Sequence, residues 1–340
     1  MSKEVLSTVY CLPVSPKRAL ITGITGQDGA YLSQFLLKKG YQVHGATHDI
    51  SPERLWRLQE LSVVDNVELS TVEMTDEESV YTLVKKTQPD EIYNLASRSF
   101  VAASWQEPLP TADVNALGTL RMLQALRLHA PQAKFYQAST SEMYGSSHQE
   151  HRQDENTPLH PKSPYAISKL FAHWATINYR ESFGLFACCG ILFNHESPLR
   201  GLEFVTRKIS DGVARIHLGL SDSITLGNLD AKRDWGFAGD YVEVMWLMLQ
   251  QEKAEEFVVS TGETHSVRDF LTLAFREVGI DDWSKYVKSD PRYMRPVELQ
   301  ELSGKNDKAK RVLHWEPKVS FQELVQMMVK RDLERLSKPS

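Results

Sequence analysis

Short hydrophobic runs alternate along the first half of the chain with stretches in which apolar residues return every three or four positions. Residues 18–22, RALIT, read as a buried strand that ends in a Gly-rich turn. In 30–40, AYLSQFLLKKG, the residues Tyr31, Leu32, Phe35 and Leu36 share one helical face and Gly40 marks the stop. The alternation then repeats. Strands are predicted at 41–47, 67–72, 91–96, 134–139 and 185–195, with helices at 79–87, 111–129 and 165–184. Such an order with short links predicts an α/β fold whose parallel sheet is covered on both faces. Beyond residue 194 the regularity weakens and loops, prolines and scattered charge take over. The expectation is a flexible extension over 1–16, a large domain over 17–194, and a smaller, discontinuous α/β domain over 195–340. Some segments of that second domain are expected to return to the first.

Composition narrows the classes of function. Lys and Arg number 39 against 44 Asp and Glu, a formal charge of −5, which argues against a nucleic-acid or anionic-membrane partner. No apolar run approaches the length of a membrane span. The three cysteines, Cys11 and the adjacent Cys188 and Cys189, make no disulfide framework and point to a reduced, cytoplasmic setting.

Three patterns carry chemistry. Gly23, Ile24, Thr25, Gly26, Gln27, Asp28 and Gly29 lie between the first strand and the first helix. Glycines there let the backbone turn tightly and approach a pyrophosphate, whose charge meets the helix N-terminus. Tyr165 and Lys169 stand four apart at the start of a helix, where an ammonium can favour the phenolate and make it a base. Tyr81 and Lys85 share that spacing, so position has to separate them; Tyr165 follows the strand that ends in Ser139, Thr140, Ser141 and Glu142. A strand has no packing use for these hydroxyls and a carboxylate, and burying them without partners is costly. Opposite Tyr165, Glu142 can serve as a second acid or base. Asn194 and Arg200 suit polar ligand groups, and a pyrophosphate would give Lys208, Arg233 and Arg295 a common purpose. His195 between Asn194 and Glu196 lacks metal-ligand spacing, and no metal is expected.

These segments, with ALITGITGQDGAYL, FYQASTSEMYG, SPYAISKL, GILFNHESPLRG, LGNLDAKRDWGFAGDYV and DPRYMRP, resemble the GDP-mannose 4,6-dehydratases of the extended short-chain dehydrogenase/reductase family. The resemblance runs from Arg18 to Leu333 and implies a Rossmann domain with a nucleotide sugar held by the C-terminal domain. It implies that Thr140, Glu142 and Tyr165 are catalytic, while Lys169 orients the nicotinamide ribose and tunes Tyr165. Residues 23–29, Glu73, Met74, Leu95, Ala96, Ser97, Ser99, His195 and Arg200 would line the cofactor. Ser99, Thr140, Ser141, Glu142, Asn194, Val205, Lys208, Arg233, Arg295 and Glu298 would hold GDP-mannose. The implied reaction moves hydride from C4 of the sugar to the cofactor and back to C6, with loss of water.

Two departures bear on the cofactor. Where relatives carry paired arginines and serines for the NADP 2′-phosphate, this chain reads THDISPER, and Glu73 replaces an Asp beside the adenine. Asp49, twenty residues after Gly29, is near the distance of a ribose-binding carboxylate in NAD sites. Arg54 and Arg57 follow closely, and NADP is expected, with NAD the alternative. An epimerase or reductase acting on another GDP-sugar, such as a GDP-heptose, would keep Tyr165 and Lys169 without requiring Glu142. An idle dinucleotide-sensing scaffold would have lost one of the pair. A homodimer or homotetramer is expected.

Overall fold

The computed structural model describes residues 15–145, 152–290, 299 and 301–337. Most of the expected extension, Cys11, Arg295 and Glu298 lie outside the described residues. All six expected strands form: β1 (Arg18–Thr22), β2 (Gln42–Thr47), β3 (Glu68–Thr71), β4 (Glu91–Asn94), β5 (Lys134–Thr140) and β6 (Ala187–Leu192). Four short strands follow, β7 (Asn194–Glu196), β8 (Ile224–Leu226), β9 (Lys232–Arg233) and β10 (Trp235–Phe237). Then comes β11 (Glu256–Val259), which joins the main sheet beside β6. The order β11-β6-β5-β4-β1-β2-β3 is parallel throughout. It reverses between β1 and β4, so the crevice beyond their carboxyl ends is the place where this topology receives a ligand.

The helices are α1 (Gln27–Lys38), α2 (Pro52–Glu60), α3 (Glu77–Thr87), α4 (Val101–Gln106), α5 (Pro108–Ala112), α6 (Gly118–His129), α7 (Pro164–Phe183), α8 (Val205–His217), α9 (Ala238–Leu249), α10 (Val267–Arg276) and α11 (Phe321–Leu336). On one face of the sheet Leu32 and Leu36 of α1 pack with Tyr241 and Met245 of α9. On the other, Val80 and Val84 of α3 pack with Met122 and Leu126 of α6. A separate cluster joins Ile209 and Val213 of α8, Phe270 and Phe275 of α10, and Leu324 and Met328 of α11. Within it Asp332 accepts from Arg207 Nε at 2.9 Å and from Ser210 Oγ at 2.7 Å, so a buried arginine of α8 is an anchor for α11. None of the described helices is long and apolar enough to cross a membrane.

Two elements depart from the sequence pattern. The single helix expected over 111–129 is broken by a wide π-turn at Asp113–Leu117, where Asn115 aims its side chain away to bind the chain at Ser97 and Arg98. The THDISPER stretch leads into α2, with Pro52 at its first position. α9 and β11 complete the first core from beyond residue 194.

Candidate active site

The Gly-rich turn is shaped by two close approaches. Gly23 has φ +70°, and a Cβ there would lie 2.8 Å from Ala96 N. A Cβ on Gly29 would lie 2.5 Å from Ile24 Cα, so only glycine lets α1 press this closely on the turn. Gly26 caps α1 with no side-chain hydrogen bond, leaving first-turn amides for an anion. The Ile24 side chain faces the core against Gly45, so at that position only backbone can meet a ligand. Beside the turn, Thr22 Oγ1 accepts from Leu95 N and Ala96 N at 3.1 Å each, which fixes the segment after β4.

The polar end of β5 is buried: Thr140, Ser141 and Glu142 are between 2% and 9% exposed. They form a tight turn in which Glu142 N donates to Thr140 Oγ1 at 3.3 Å. Facing them is the start of α7, where Ser163 caps the helix through Ala166 N and Pro164 sets the first position. Tyr165 bonds Thr140, and its phenol is pushed up to about 12, chiefly by burial and against that bond. Glu142 and Asp28 push the same way, while Arg200 pulls it down. Lys169 is 4% exposed, makes no hydrogen bond to any described residue, and is held down to about 8 by burial. Its lowering effect on Tyr165, expected from the spacing, is not among the leading influences; Thr140 and Arg200 supply that effect. The other pair, Tyr81 and Lys85, lies on α3, where Tyr81 packs against the His129 ring and Lys85 is exposed.

Around this centre the expected ligand residues divide. His195 Nε2 meets Asp28 Oδ2 at 2.8 Å, and Gln27 Nε2 donates to the His195 carbonyl at 3.1 Å. Arg200 pairs with Glu196 at 3.1 Å and lies over the Phe204 ring at 3.6 Å. Asn194 and Ser99 reach the surface near these elements, and Val205 and Lys208 open α8. Arg233 is 6% exposed and spends Nη1 on the carbonyls of Lys232 and Leu299. Asp49 lies just before α2, accepting from Ser51 N at 2.8 Å and Ser51 Oγ at 3.0 Å, and meets Arg54 at 3.6 Å. Glu73 accepts from Thr75 N at 3.0 Å, and Met74 is buried against Gly118. Asn115 escaped the sequence reading. It receives Arg98 N at 2.8 Å and donates to Ser168 Oγ at 3.1 Å, so it fastens the segment after β4 to α7 between Tyr165 and Lys169. Its signal was an Asn three residues before Gly118, two weak helix formers inside a helical pattern.

Comparison with known proteins decides among the enzymes this geometry could serve. The profile of the GDP-mannose 4,6 dehydratase family matches residues 20–328. GDP-mannose 4,6 dehydratase 2 of Arabidopsis thaliana is 52% identical over 94% of this chain and 88% of its own length. The chain belongs to the GDP-mannose 4,6-dehydratase family. The Homo sapiens member is 47% identical over 93% of this chain and 91% of its own length. Outside the GDP-mannose 4,6-dehydratases, a Thermus thermophilus UDP-glucose 4-epimerase solved with NAD superposes with a TM-score of 0.80. It is 28% identical and covers 93% of this chain and 98% of its own. Epimerases and dehydratases thus share the frame, and Glu142 beside Thr140 is the feature that the dehydratase resemblance requires.

The contrast between the two Tyr-Lys pairs gives a direct test. Tyr165→Phe is expected to lower turnover about 10²- to 10⁴-fold while nucleotide-sugar binding changes little, because its hydroxyl acts on a proton in flight. Tyr81→Phe is expected to leave both unchanged. Steady-state kinetics with GDP binding measured on the same variants checks this, and equal losses would reject the assignment.

Proposed function

We propose that the protein converts GDP-mannose to GDP-4-dehydro-6-deoxymannose, with Thr140, Glu142, Tyr165 and Lys169 as its working residues. The observation that carries this is the buried Glu142, two residues beyond the threonine that bonds Tyr165. Tyr165 takes the proton of the sugar 4-hydroxyl, and Thr140 hydrogen-bonds the same oxygen. A ketone at C4 acidifies the C5 proton, which Glu142 takes and passes to the departing 6-hydroxyl, releasing water. The proton held on Tyr165, exchanged with solvent, returns to C5. A bound nicotinamide dinucleotide supplies the acceptor for the C4 hydride and the donor for C6. The residues suit it: Gly26 opens the first turn of α1, and the Lys169 ammonium has donors to spare for ribose hydroxyls. Residues 17–194, with α9 and β11, would carry the dinucleotide, and the remainder after residue 194 the GDP-sugar.

We propose NADP as the dinucleotide. Support comes from Asp49, whose carboxylate is already engaged by Ser51 and Arg54, and from Arg54 and Arg57 on the same helix. The Thermus relative holds NAD, which keeps NAD as the alternative. For assembly, α7 exposes Ile167 by 57%, Phe171 by 45% and Trp174 by 56%, beside a shallow groove of about 580 Å³ lined also by Leu120 and Tyr179. A twenty-residue helix with such a strip suits pairing with its own copy about a two-fold axis. A homodimer is therefore proposed, alone or as the unit of a tetramer. The free, buried Cys188 and Cys189 suit the reducing cytoplasm.

Three measurements check these readings. Incubated with GDP-mannose in deuterated water, the enzyme should give a product lighter by one water and labelled at C5, and Glu142→Gln should give none; unlabelled product would remove Glu142 from the proton transfer. Protein denatured after purification should release NADP, and stripped protein should prefer it; a tenfold preference for NAD would hand Asp49 the ribose role. Sedimentation should report at least twice the 38.7 kDa chain mass, and Trp174→Glu should halve the dimer.

A further inference from the structure

The hydrogen bonds around His195 fix its charge by elimination. Nδ1 lies 2.8 Å from the Phe193 carbonyl oxygen, which can only accept. Nε2 lies 2.8 Å from Asp28 Oδ2, which also only accepts when ionised. A neutral imidazole has one N–H and can satisfy one of these. Both are satisfied when the ring is an imidazolium facing a carboxylate. The pair is 12% and 22% exposed, and the ring stacks on Tyr241 at 4.8 Å. Its electrostatics agree: against the desolvation that opposes both charges, Asp28 holds His195 above the ordinary histidine range and His195 holds Asp28 below the carboxylate range.

The pair belongs to a longer interlock. Gln27 Nε2 also donates to Asp28 Oδ1 at 3.1 Å, and Ser197 Oγ donates to Gln27 Oε1 at 2.7 Å. Ser197 Oγ in turn accepts from Leu199 N at 3.0 Å, and the Leu199 carbonyl accepts from Arg57 Nε at 2.7 Å. Arg57 Nη1 closes the circuit on the Thr25 carbonyl at 3.2 Å. The Gly-rich turn is thereby bound at three points to residues 195–199, the stretch between Asn194 and Arg200.

We propose that Asp28 and His195 are positioning residues, a carboxylate–imidazolium pair that locks the Gly-rich turn to segment 194–200 and so couples dinucleotide binding to binding of the GDP moiety. This rests on reading the site as a dinucleotide site facing a GDP-sugar. What stiffens the turn stiffens the segment, and the coupling is reciprocal. The same charges reach the chemistry: Asp28 is the leading anion acting on Lys169 and also acts on Tyr165. Arg200 beside the pair opposes the charge on His195; Tyr136 on β5 faces Asp28, and Tyr241 on α9 and Glu196 on β7 are the other ionisable neighbours. With the histidine raised, the lock is complete below the ordinary histidine range and weakens as pH rises through the folded value. At the acid end it is lost as pH falls through the depressed value of Asp28.

The test has two arms. Nitrogen-15 NMR of the histidine rings in the unaltered protein at pH 7 should show both His195 nitrogens protonated. GDP, which cannot turn over, is then titrated with and without saturating NADP, and again with NAD. In the native protein the dinucleotide should tighten GDP about fivefold or more. In Asp28→Asn that factor should fall below about twofold, while Asp28→Glu restores part of it. Ser197→Ala, which removes one hydroxyl from the circuit, should lower it too and serves if Asp28→Asn does not fold. A neutral His195 at pH 7, or a coupling factor unchanged in these variants, overturns the proposal. Native protein that binds GDP equally with and without dinucleotide also overturns it, whereas no GDP binding under any condition refutes the nucleotide-sugar reading as well.

Discussion

Two backbones meet at the carboxyl ends of β1 and β4, and the rest of the site depends on how closely they do so. The turn after β1 runs against the segment after β4 at a distance that excludes a Cβ on Gly23. Thr22 Oγ1 then receives both amides of that segment, so the two loops flanking the switch point move as one. Gly29 adds the second close approach, setting α1 so that its first amides open onto the same crevice. Everything that a dinucleotide would touch is referred to this contact.

Desolvation is the second shaping force. Burial is the largest influence on Tyr165 and Lys169 and drives them in opposite senses, with the phenol ending up at about 12 and the ammonium down at about 8. Both shifts favour neutral groups, so the site opposes the phenolate that proton removal requires. The counterweights are specific: the Thr140 bond and the Arg200 charge favour the phenolate, and Asp28 favours the charged lysine. A base that is reluctant until a cationic partner arrives is suited to chemistry that must not begin before the site is filled.

The frame of this arrangement was legible in the sequence, because six of the seven sheet strands lie within the short runs that alternate with helical patterns, and the Gly-rich turn sits between β1 and α1. Tyr165 was separable from Tyr81 by its place after β5, and the two do lie in different surroundings. What escaped was conditional on tertiary contact. The π-turn exists because Asn115 finds Ser97, Arg98 and Ser168, none of them its helical neighbours. β11 follows the irregular stretch beyond residue 194, and its place in the sheet is set by its pairing with β6. The charge proposed for His195 rests on two acceptors, one of them 167 positions away in sequence, which no local pattern carries.

The three polar residues that end β5 now make one physical argument. Thr140 is used twice, capping the turn for Glu142 N and bonding Tyr165, so the hydroxyl that positions the carboxylate also steadies the base. Ser141, 2% exposed, stands between them with no charge to add. In the reaction proposed above, a serine at that position leaves Glu142 as the carboxylate of this turn that would take a proton from C5 and give one to the departing oxygen. A single group can do both in turn, because the carboxyl formed by taking the C5 proton is the acid that the departing oxygen needs. At 8% exposed, Glu142 is screened from bulk water, which strengthens its interaction with whatever charge develops beside it.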